Sequence, residues 1–178
     1  MSTNHYSWTF PVDPASPLPA PAEVDALVQK VSGECLGVDI MSRADWFAWT
    51  LVRMARRAGS TALDFFEGTP AEARVVGSHG YAWGVTILPA GAVAAALKVI
   101  DALRVRCSDD LAWCLPFFSG GRWNEAEIRQ LIEQPEIGSG DEGVGPGFFI
   151  AHLRFLGAVL KEACADGMAI AHVRLLNE

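Results

Sequence analysis

Aromatic and guanidinium side chains are concentrated on one predicted helix of this chain. The helix begins after Ser42, which is placed to cap it, and ends at Gly59. Five residues lie largely off its apolar stripe: Trp46, Trp49, Arg53, Arg56 and Arg57. Because Trp and Arg are enriched in the hot spots of protein interfaces, this pattern predicts a protein-binding surface.

The same combination recurs at Arg122 and Trp123, in a predicted loop, and we include both residues in the predicted surface. A structural explanation remains open beside the binding one. Arginines in the last turn of a helix complement its dipole, and Trp is commonly packed against neighbouring elements. Asp64 and Glu67 in the next predicted turn are placed to pair with the arginines.

Ser78 and His79 are the candidates for nucleophilic catalysis. They lie in the sequence Val76-Gly77-Ser78-His79-Gly80, which lacks the Gly-x-Ser-x-Gly pattern of a nucleophile elbow. Adjacent residues of an extended chain point in opposite directions, so the pair is not a dyad by itself. A hairpin loop that uses its glycines for positive φ explains the same residues. Both interpretations remain open.

No cofactor or metal site is predicted. The histidines and cysteines show none of the His-x-x-x-His, His-Glu-x-x-His or Cys-x-x-Cys spacings. His152 and His172 are interpreted as core histidines, and Cys107 and Cys114 as buried structural thiols. The glycine-rich stretch 138–147 lacks the Lys of a phosphate-binding loop and is predicted to be a surface loop or lid.

Charge and composition narrow the class of protein. The 178 residues carry a net charge of −7, 51% of them are apolar, and the mean hydropathy is +0.21. An acidic chain disfavours nucleic acid as a partner and suits a cationic protein. No apolar run is long enough to cross a membrane, the N-terminus does not read as a signal peptide, and the cysteine usage fits the cytoplasm. The apolar surplus fits either a large core or a homodimer interface.

The C-terminal residues are predicted to be a central helix and an interior strand. Pro146 begins the helix and Gly167 ends it. Two apolar stripes run along the helix, which requires packing on more than one side. This interior strand is predicted at residues 168–176, further strands at 6–12, 73–76 and 81–88, and a fifth at 36–40.

These elements predict a single α+β domain over residues 1–178, with a mixed or antiparallel sheet of four to five strands packed against several helices. Pro11 cannot donate to a ladder, so the first strand is expected either to lie at an edge or to be short. The Pro-rich stretch 13–21 is predicted to be an extended polyproline-II connector within the domain, and an SH3-type ligand is the alternative.

Four stretches resemble the YfbM-like family of uncharacterised bacterial proteins. They are Asp45-Trp46-Phe47, Gly77-Ser78-His79-Gly80, residues 85–103, and the terminal helix with Gly167 and residues 168–170. Together they cover about half of the chain, whereas the Pro-rich stretch and the aromatic first strand depart from the family pattern. The resemblance implies a single α/β-type domain with no assigned activity, so it assigns no functional residue.

Three functions are therefore expected, in order of preference. The first is a cytoplasmic protein-binding module, for instance an acidic inhibitor or immunity-type protein that neutralises a cationic toxin. The second is a small hydrolase or transferase that uses His79. The third is a structural homodimer without catalytic activity.

Overall fold

A four-stranded antiparallel sheet lies at the centre of the fold. The computed structural model describes residues 7–26, 44–68, 72–77, 80, 82–118, 125–133 and 146–176. The strands are β1 (Ser7–Val12), β2 (Ala73–Val76), β3 (Ala82–Leu88) and β4 (Ala169–Leu175). Their order in the sheet is β1-β4-β3-β2. The prediction of a single α+β domain with four to five strands is confirmed, and every strand pair is antiparallel.

Six helical segments accompany the sheet in the described residues. They are α1 (residues 21–26), α2 (Ala44–Arg57), α3 (Ala90–Asp109), α4 (Leu111–Cys114), α5 (Glu125–Glu133) and α6 (Pro146–Ala165). Two 3-10 turns, Asp64–Glu67 and Leu115–Phe117, follow α2 and α4. The predicted strand at 36–40 and the glycine-rich stretch 138–145 lie outside the described residues.

The position of each outer or inner strand follows from its residues. β1 contains Pro11, which has no N–H to donate, and it lies at the edge of the sheet as predicted. β4 pairs with β1 on one side and β3 on the other, so it is interior as predicted. Its residues Ala169 to Val173 are all buried, as expected of a strand covered on both faces.

α6 is the central helix of the larger apolar core. Phe149, Leu153, Leu156, Leu160 and Ala163 form its fully buried stripe. It contacts α3, α5, β1 and β4, which confirms the prediction that it packs on more than one side. The chain leaves the helix through Gly167, whose φ of +67° favours glycine.

The second face of the sheet carries a smaller apolar core. All four strands contribute to it, with Trp8 from β1, Val75 from β2, Trp83 and Val85 from β3, and Val173 from β4. The rings of Trp8 and Trp83 meet edge to face, with centroids 5.4 Å apart. Val24 of α1 packs into this cluster, so α1 covers the face opposite α6.

One local prediction is wrong. The Pro-rich connector is not extended throughout, because the amide of Ser16 donates to the carbonyl of Asp13 at 3.1 Å and closes a turn. A carboxylate oxygen of Asp13 accepts from the amide of Ala15 and stabilises that turn.

Candidate functional site

Helical spacing places two of the predicted arginines on the same face of α2 as an exposed indole. Trp49, Arg53 and Arg57 are four residues apart on α2, so they share one face. Phe47, Leu51 and Met54 are buried on the other side and fix the orientation of the helix. The guanidinium carbon of Arg53 lies 4.3 Å from the centroid of the Trp49 ring. This is a cation–π contact on a side chain that is 49% exposed.

α4 and the 3-10 turn after it supply an aromatic floor. A carboxylate oxygen of Asp110 caps α4 by accepting from the amide of Trp113 at 3.2 Å. The Trp113 and Phe117 rings then lie together, with centroids 5.4 Å apart, and both are nearly buried. The guanidinium carbon of Arg57 lies 5.4 Å from each of these two rings.

A third guanidinium group comes from the last turn of α3. The guanidinium carbon of Arg106 lies 4.3 Å from the Trp113 centroid, and a nitrogen of Arg106 lies 3.9 Å from a carboxylate oxygen of Asp110. Arg53 also reaches Phe117, at 5.8 Å. We call the following six residues the cation–aromatic surface: Trp49, Arg53, Arg57, Arg106, Trp113 and Phe117.

The electrostatics of this surface differ from those of the whole chain. Arg53 and Arg57 form no ion pair with any residue that the structure describes. Their partners there are aromatic faces, which attract the cation without neutralising it. A chain of net charge −7 therefore presents a locally cationic patch backed by aromatic rings.

Arg56 belongs to a different contact. It pairs with Asp64 at 3.0 Å and with Glu67 at 2.9 Å, which confirms the predicted pairing across the turn. The hydrogen bond with Asp64 raises the pKa of the Arg56 guanidinium further above its ordinary value. Arg56 thus connects α2 to the following 3-10 turn and is separate from the cation–aromatic surface.

The other predicted site residues are only partly described. Trp46 lies in the first turn of α2, and its side chain is outside the described part of the chain. Ser78, His79, Arg122 and Trp123 also lie outside it. The predicted catalytic site and the loop part of the predicted binding surface therefore remain predictions.

Sequence reasoning missed Arg106, Trp113 and Phe117 as members of this surface. They belong to two helices and a 3-10 turn, and the turn at Asp110 sets their geometry. No single helical period relates residues across such a break. The sequence feature that could have predicted the position of Trp113 is the helix cap. Asp110, three residues before Trp113, is a helix-start pattern that fixes where the indole points.

A buried polar row on the sheet accounts for His172. Thr9, His172 and Thr86 are direct neighbours across β1, β4 and β3. Nδ1 of His172 lies 3.0 Å from the hydroxyl oxygen of Thr9. Burial, followed by the nearby charge of Arg174, lowers the pKa of His172 to about 3, so its ring is neutral near pH 7. The interpretation of His172 as a core histidine is confirmed.

Other possible sites in the described residues offer less chemistry. A groove of about 500 Å³ lies between the end of β1, the Pro-rich connector and α1. Its carboxylates serve the backbone, because Asp13 accepts from the amide of Ala15 and Glu23 from the amide of Ala20. No group of three metal-binding side chains occurs in the part of the chain that is described. No helix there has the length and apolarity needed to cross a membrane.

Comparison with protein-family models, with curated proteins and with solved structures found no match to this chain. The resemblance to the YfbM-like proteins therefore stays a prediction, and the function is argued from the geometry alone.

Proposed function

We propose that this chain is a protein-binding module that contacts its partner through the cation–aromatic surface. The observation that carries the proposal is the pair Arg53 and Arg57, which rest on aromatic rings with no carboxylate partner among the described residues. Half-exposed Trp49 adds apolar area beside them. Arg and Trp side chains of this kind provide most of the affinity in protein interfaces.

The chemistry of the surface favours an acidic segment of the partner. Carboxylates pair with guanidinium groups in bidentate geometry, and an apolar side chain beside them would cover the exposed ring of Trp49. Arg106 contributes less, because Asp110 already lies near it. The partner we propose is thus a protein whose contact segment alternates carboxylates with apolar or aromatic side chains.

An inhibitor or immunity-type protein for a cationic toxin is one form of this proposal. Net charge acts over distances of the order of 10 Å, where a chain of charge −7 attracts a cationic protein. The close contact at Arg53 and Arg57 is then made by carboxylates on that protein. At long range the net positive charge of the partner is attracted to this chain, and at short range carboxylates of the partner bind the arginines. Both interactions favour the same complex.

The test is quantitative capture from a lysate of the encoding organism with three baits. One is the wild-type protein, one carries Trp49→Ala and Arg53→Gln, and the control carries Arg104→Gln. Arg104 is as exposed as the surface arginines but lies in an i,i+3 pair with Asp101 at 3.3 Å. Loss of two hot-spot residues should lower the recovery of a true partner by about 30-fold or more.

Cross-linking identifies where the captured protein touches the chain. We expect cross-links between residues beside α2 or α4 and an acidic segment of the partner, and unchanged capture by the Arg104→Gln control. Equal capture by all three baits, or cross-links confined to the opposite face of the sheet, would contradict the proposal.

A homodimer is disfavoured at this surface. A two-fold contact there would bring Arg53 and Arg57 of both copies together, and like charges repel. Light scattering at low protein concentration should accordingly show a monomer whose mass is the same for wild type and for the Trp49→Ala, Arg53→Gln variant.

A further inference from the structure

Two thiols that are seven residues apart in the chain meet inside the fold. Cys107 lies in the last turn of α3 and Cys114 at the end of α4, and both are fully buried. The turn at Asp110 folds α4 back against α3 and brings the two Sγ atoms to 3.1 Å. Cys164, by contrast, is exposed.

A disulfide needs only a small movement from this arrangement. The S–S bond is about 2.05 Å long, so the two sulfur atoms must approach by roughly 1 Å. α4 is a single turn joined to α3 through one residue, so the two cysteines lie on either side of a short connection.

We propose that Cys107 and Cys114 form an oxidisable dithiol, which a small hydroperoxide converts to an intramolecular disulfide. This assigns to the pair a modification site with hydrogen peroxide or a small alkyl hydroperoxide as its co-substrate. The site depends on the geometry of α3 and α4 and is independent of the proposed binding function.

The reaction balances in two steps. A thiolate of one cysteine attacks the peroxide, the O–O bond breaks, and the products are a sulfenic acid and hydroxide, or an alkoxide from an alkyl hydroperoxide. The second thiol then attacks the sulfenic sulfur, forms the S–S bond and releases water. Two electrons pass from the sulfur pair to the peroxide, and a small dithiol such as dithiothreitol later returns both thiols by exchange and is itself oxidised to its disulfide.

The burial of Cys107 and Cys114 limits the size of the oxidant and determines the rate of oxidation. The two sulfur atoms are closed to bulky disulfides, whereas exposed Cys164 is open to them. The adjacent Cys114 thiol and burial raise the pKa of Cys107, so Cys107 is protonated at neutral pH. Because the thiolate is the nucleophile, oxidation of the pair should accelerate as pH rises from 7 to 9.

The dithiol adjoins the cation–aromatic surface in sequence. Arg106 precedes Cys107 and Trp113 precedes Cys114. A disulfide would fix the end of α3 to the end of α4 and hold Arg106 over the Trp113 ring. Resting on the proposed function, we expect oxidation to change the affinity for the partner, and this consequence is tested separately from disulfide formation.

The test treats the wild-type protein with hydrogen peroxide, blocks the remaining thiols and maps the peptides. Trypsin cleaves after Arg106 and Arg122, so both cysteines fall in the single peptide 107–122. We expect this peptide to lose two hydrogen atoms and to regain them with dithiothreitol. Cleavage before Asp109 and Asp110 should separate the cysteines into two fragments that stay joined until they are reduced.

Two results would overturn the inference. One is peptide 107–122 that gains oxygen atoms instead of losing hydrogens. The other is peptide 107–122 that keeps both thiols free while Cys164 is oxidised. A Cys114→Ala variant, checked for folding by circular dichroism, provides the control, because its Cys107 should take up oxygen and form no internal bond. If the wild-type protein forms the disulfide and partner binding does not change, the oxidisable dithiol is supported and only its proposed effect on the cation–aromatic surface is contradicted.

Discussion

At the scale of single residues, the arginines of α2 differ in whether they contact carboxylates or aromatic rings. Arg56 is held by Asp64 and Glu67, so it serves the fold. Arg53 and Arg57, on the same helix, lie over rings that position their guanidinium groups, and no carboxylate of the described residues pairs with either of them. The environment of each side chain, more than its type, separates the structural arginine from the two that we propose bind a partner.

His172 predicts an acid-dependent loss of stability. Its pKa is about 3 in the folded chain and about 6.5 when unfolded, so between these pH values only the unfolded chain binds the proton. This contribution to stability is complete above pH 6.5 and is lost as pH falls toward 3, by up to about 1.4 kcal/mol per pH unit. Urea unfolding of wild type and His172→Gln between pH 7 and about pH 4 measures it.

The His172→Gln variant isolates the histidine from the carboxylates, which titrate in both proteins. Its side chain retains a hydrogen-bonding group opposite Thr9 but has no proton to gain. Arg174 and its partner Glu72 on the neighbouring row, and Phe65 and Phe66 above the ring, are present in both proteins. A pH dependence equally steep in the two proteins would show that His172 is not the group responsible.

Gly84 is predicted to be required for an ion pair on the sheet. It faces Arg174 in the ladder, and the carboxylate of Glu72 lies directly over it while accepting from Nη2 of Arg174 at 2.9 Å. A Cβ at residue 84 would occupy the space of that carboxylate. Gly84→Ala should therefore displace Glu72 and lower the free energy of unfolding by about 1 kcal/mol.

Gly91→Ala is the matched control for this substitution. Gly91 lies in the first turn of α3, and a Cβ there meets no atom within 4 Å. Ala should stabilise the helix by about 0.5–1 kcal/mol relative to Gly. Denaturant unfolding of the two variants should give shifts of opposite sign, and equal shifts would contradict the role given to Gly84.

At the scale of elements, the turn between α3 and α4 builds both the aromatic floor and the dithiol. Asp110 caps α4 through the amide of Trp113, and this fixes the direction in which the short helix leaves α3. Trp113 is thereby placed under Arg57 and Arg106, and Cys114 beside Cys107. The aromatic floor and the pair of thiols therefore both depend on the carboxylate of Asp110.

Removal of this cap is predicted to weaken α4. Asp110→Ala should cost about 1 kcal/mol of stability and slow the formation of the Cys107–Cys114 disulfide, because α4 would no longer be held against α3. Asp109→Ala is the control, since the side chain of Asp109 is exposed and makes no hydrogen bond or ion pair with the described residues. Thermal unfolding and peptide mapping measure the two effects. Equal results for both variants would remove Asp110 as the organising residue.

The sequence was sufficient for elements with a strong period and insufficient where several elements meet. The stripes of α6, the alternation in β1 and β3, and the edge position required by Pro11 all predicted local structure correctly, because each depends on near neighbours in the chain. Trp49, Arg53 and Arg57 were predicted from their positions on α2. Arg106, Trp113 and Phe117 were missed because a tertiary contact, made after the break at Asp110, brings them to α2.

At the scale of the whole molecule, two apolar cores hold the fold together, and the cation–aromatic surface is a cationic patch on a chain of net negative charge. The larger core lies between the helices and one face of the sheet, and the smaller core lies between the other face and α1. The cation–aromatic surface is built on α2, α3, α4 and the 3-10 turn after α4, and none of its six residues belongs to the sheet. A rigid support of this kind keeps the arginines in place before a partner arrives, which lowers the entropy cost of binding.

A peptide titration tests the central claim most directly. The probes are a peptide of alternating Glu and Tyr and two peptides of the same length, one with Gln and one with Lys in place of Glu. Each peptide is titrated calorimetrically into three proteins: the wild type, the double variant with both Arg53→Gln and Arg57→Gln, and the Arg104→Gln control. We predict that wild type and the control bind the Glu peptide at least about tenfold more tightly than the Gln peptide, with affinity falling as salt rises, and that the double variant loses this preference. Equal affinity for the Glu and Lys peptides, or undiminished binding of the Glu peptide by the double variant, would contradict the account.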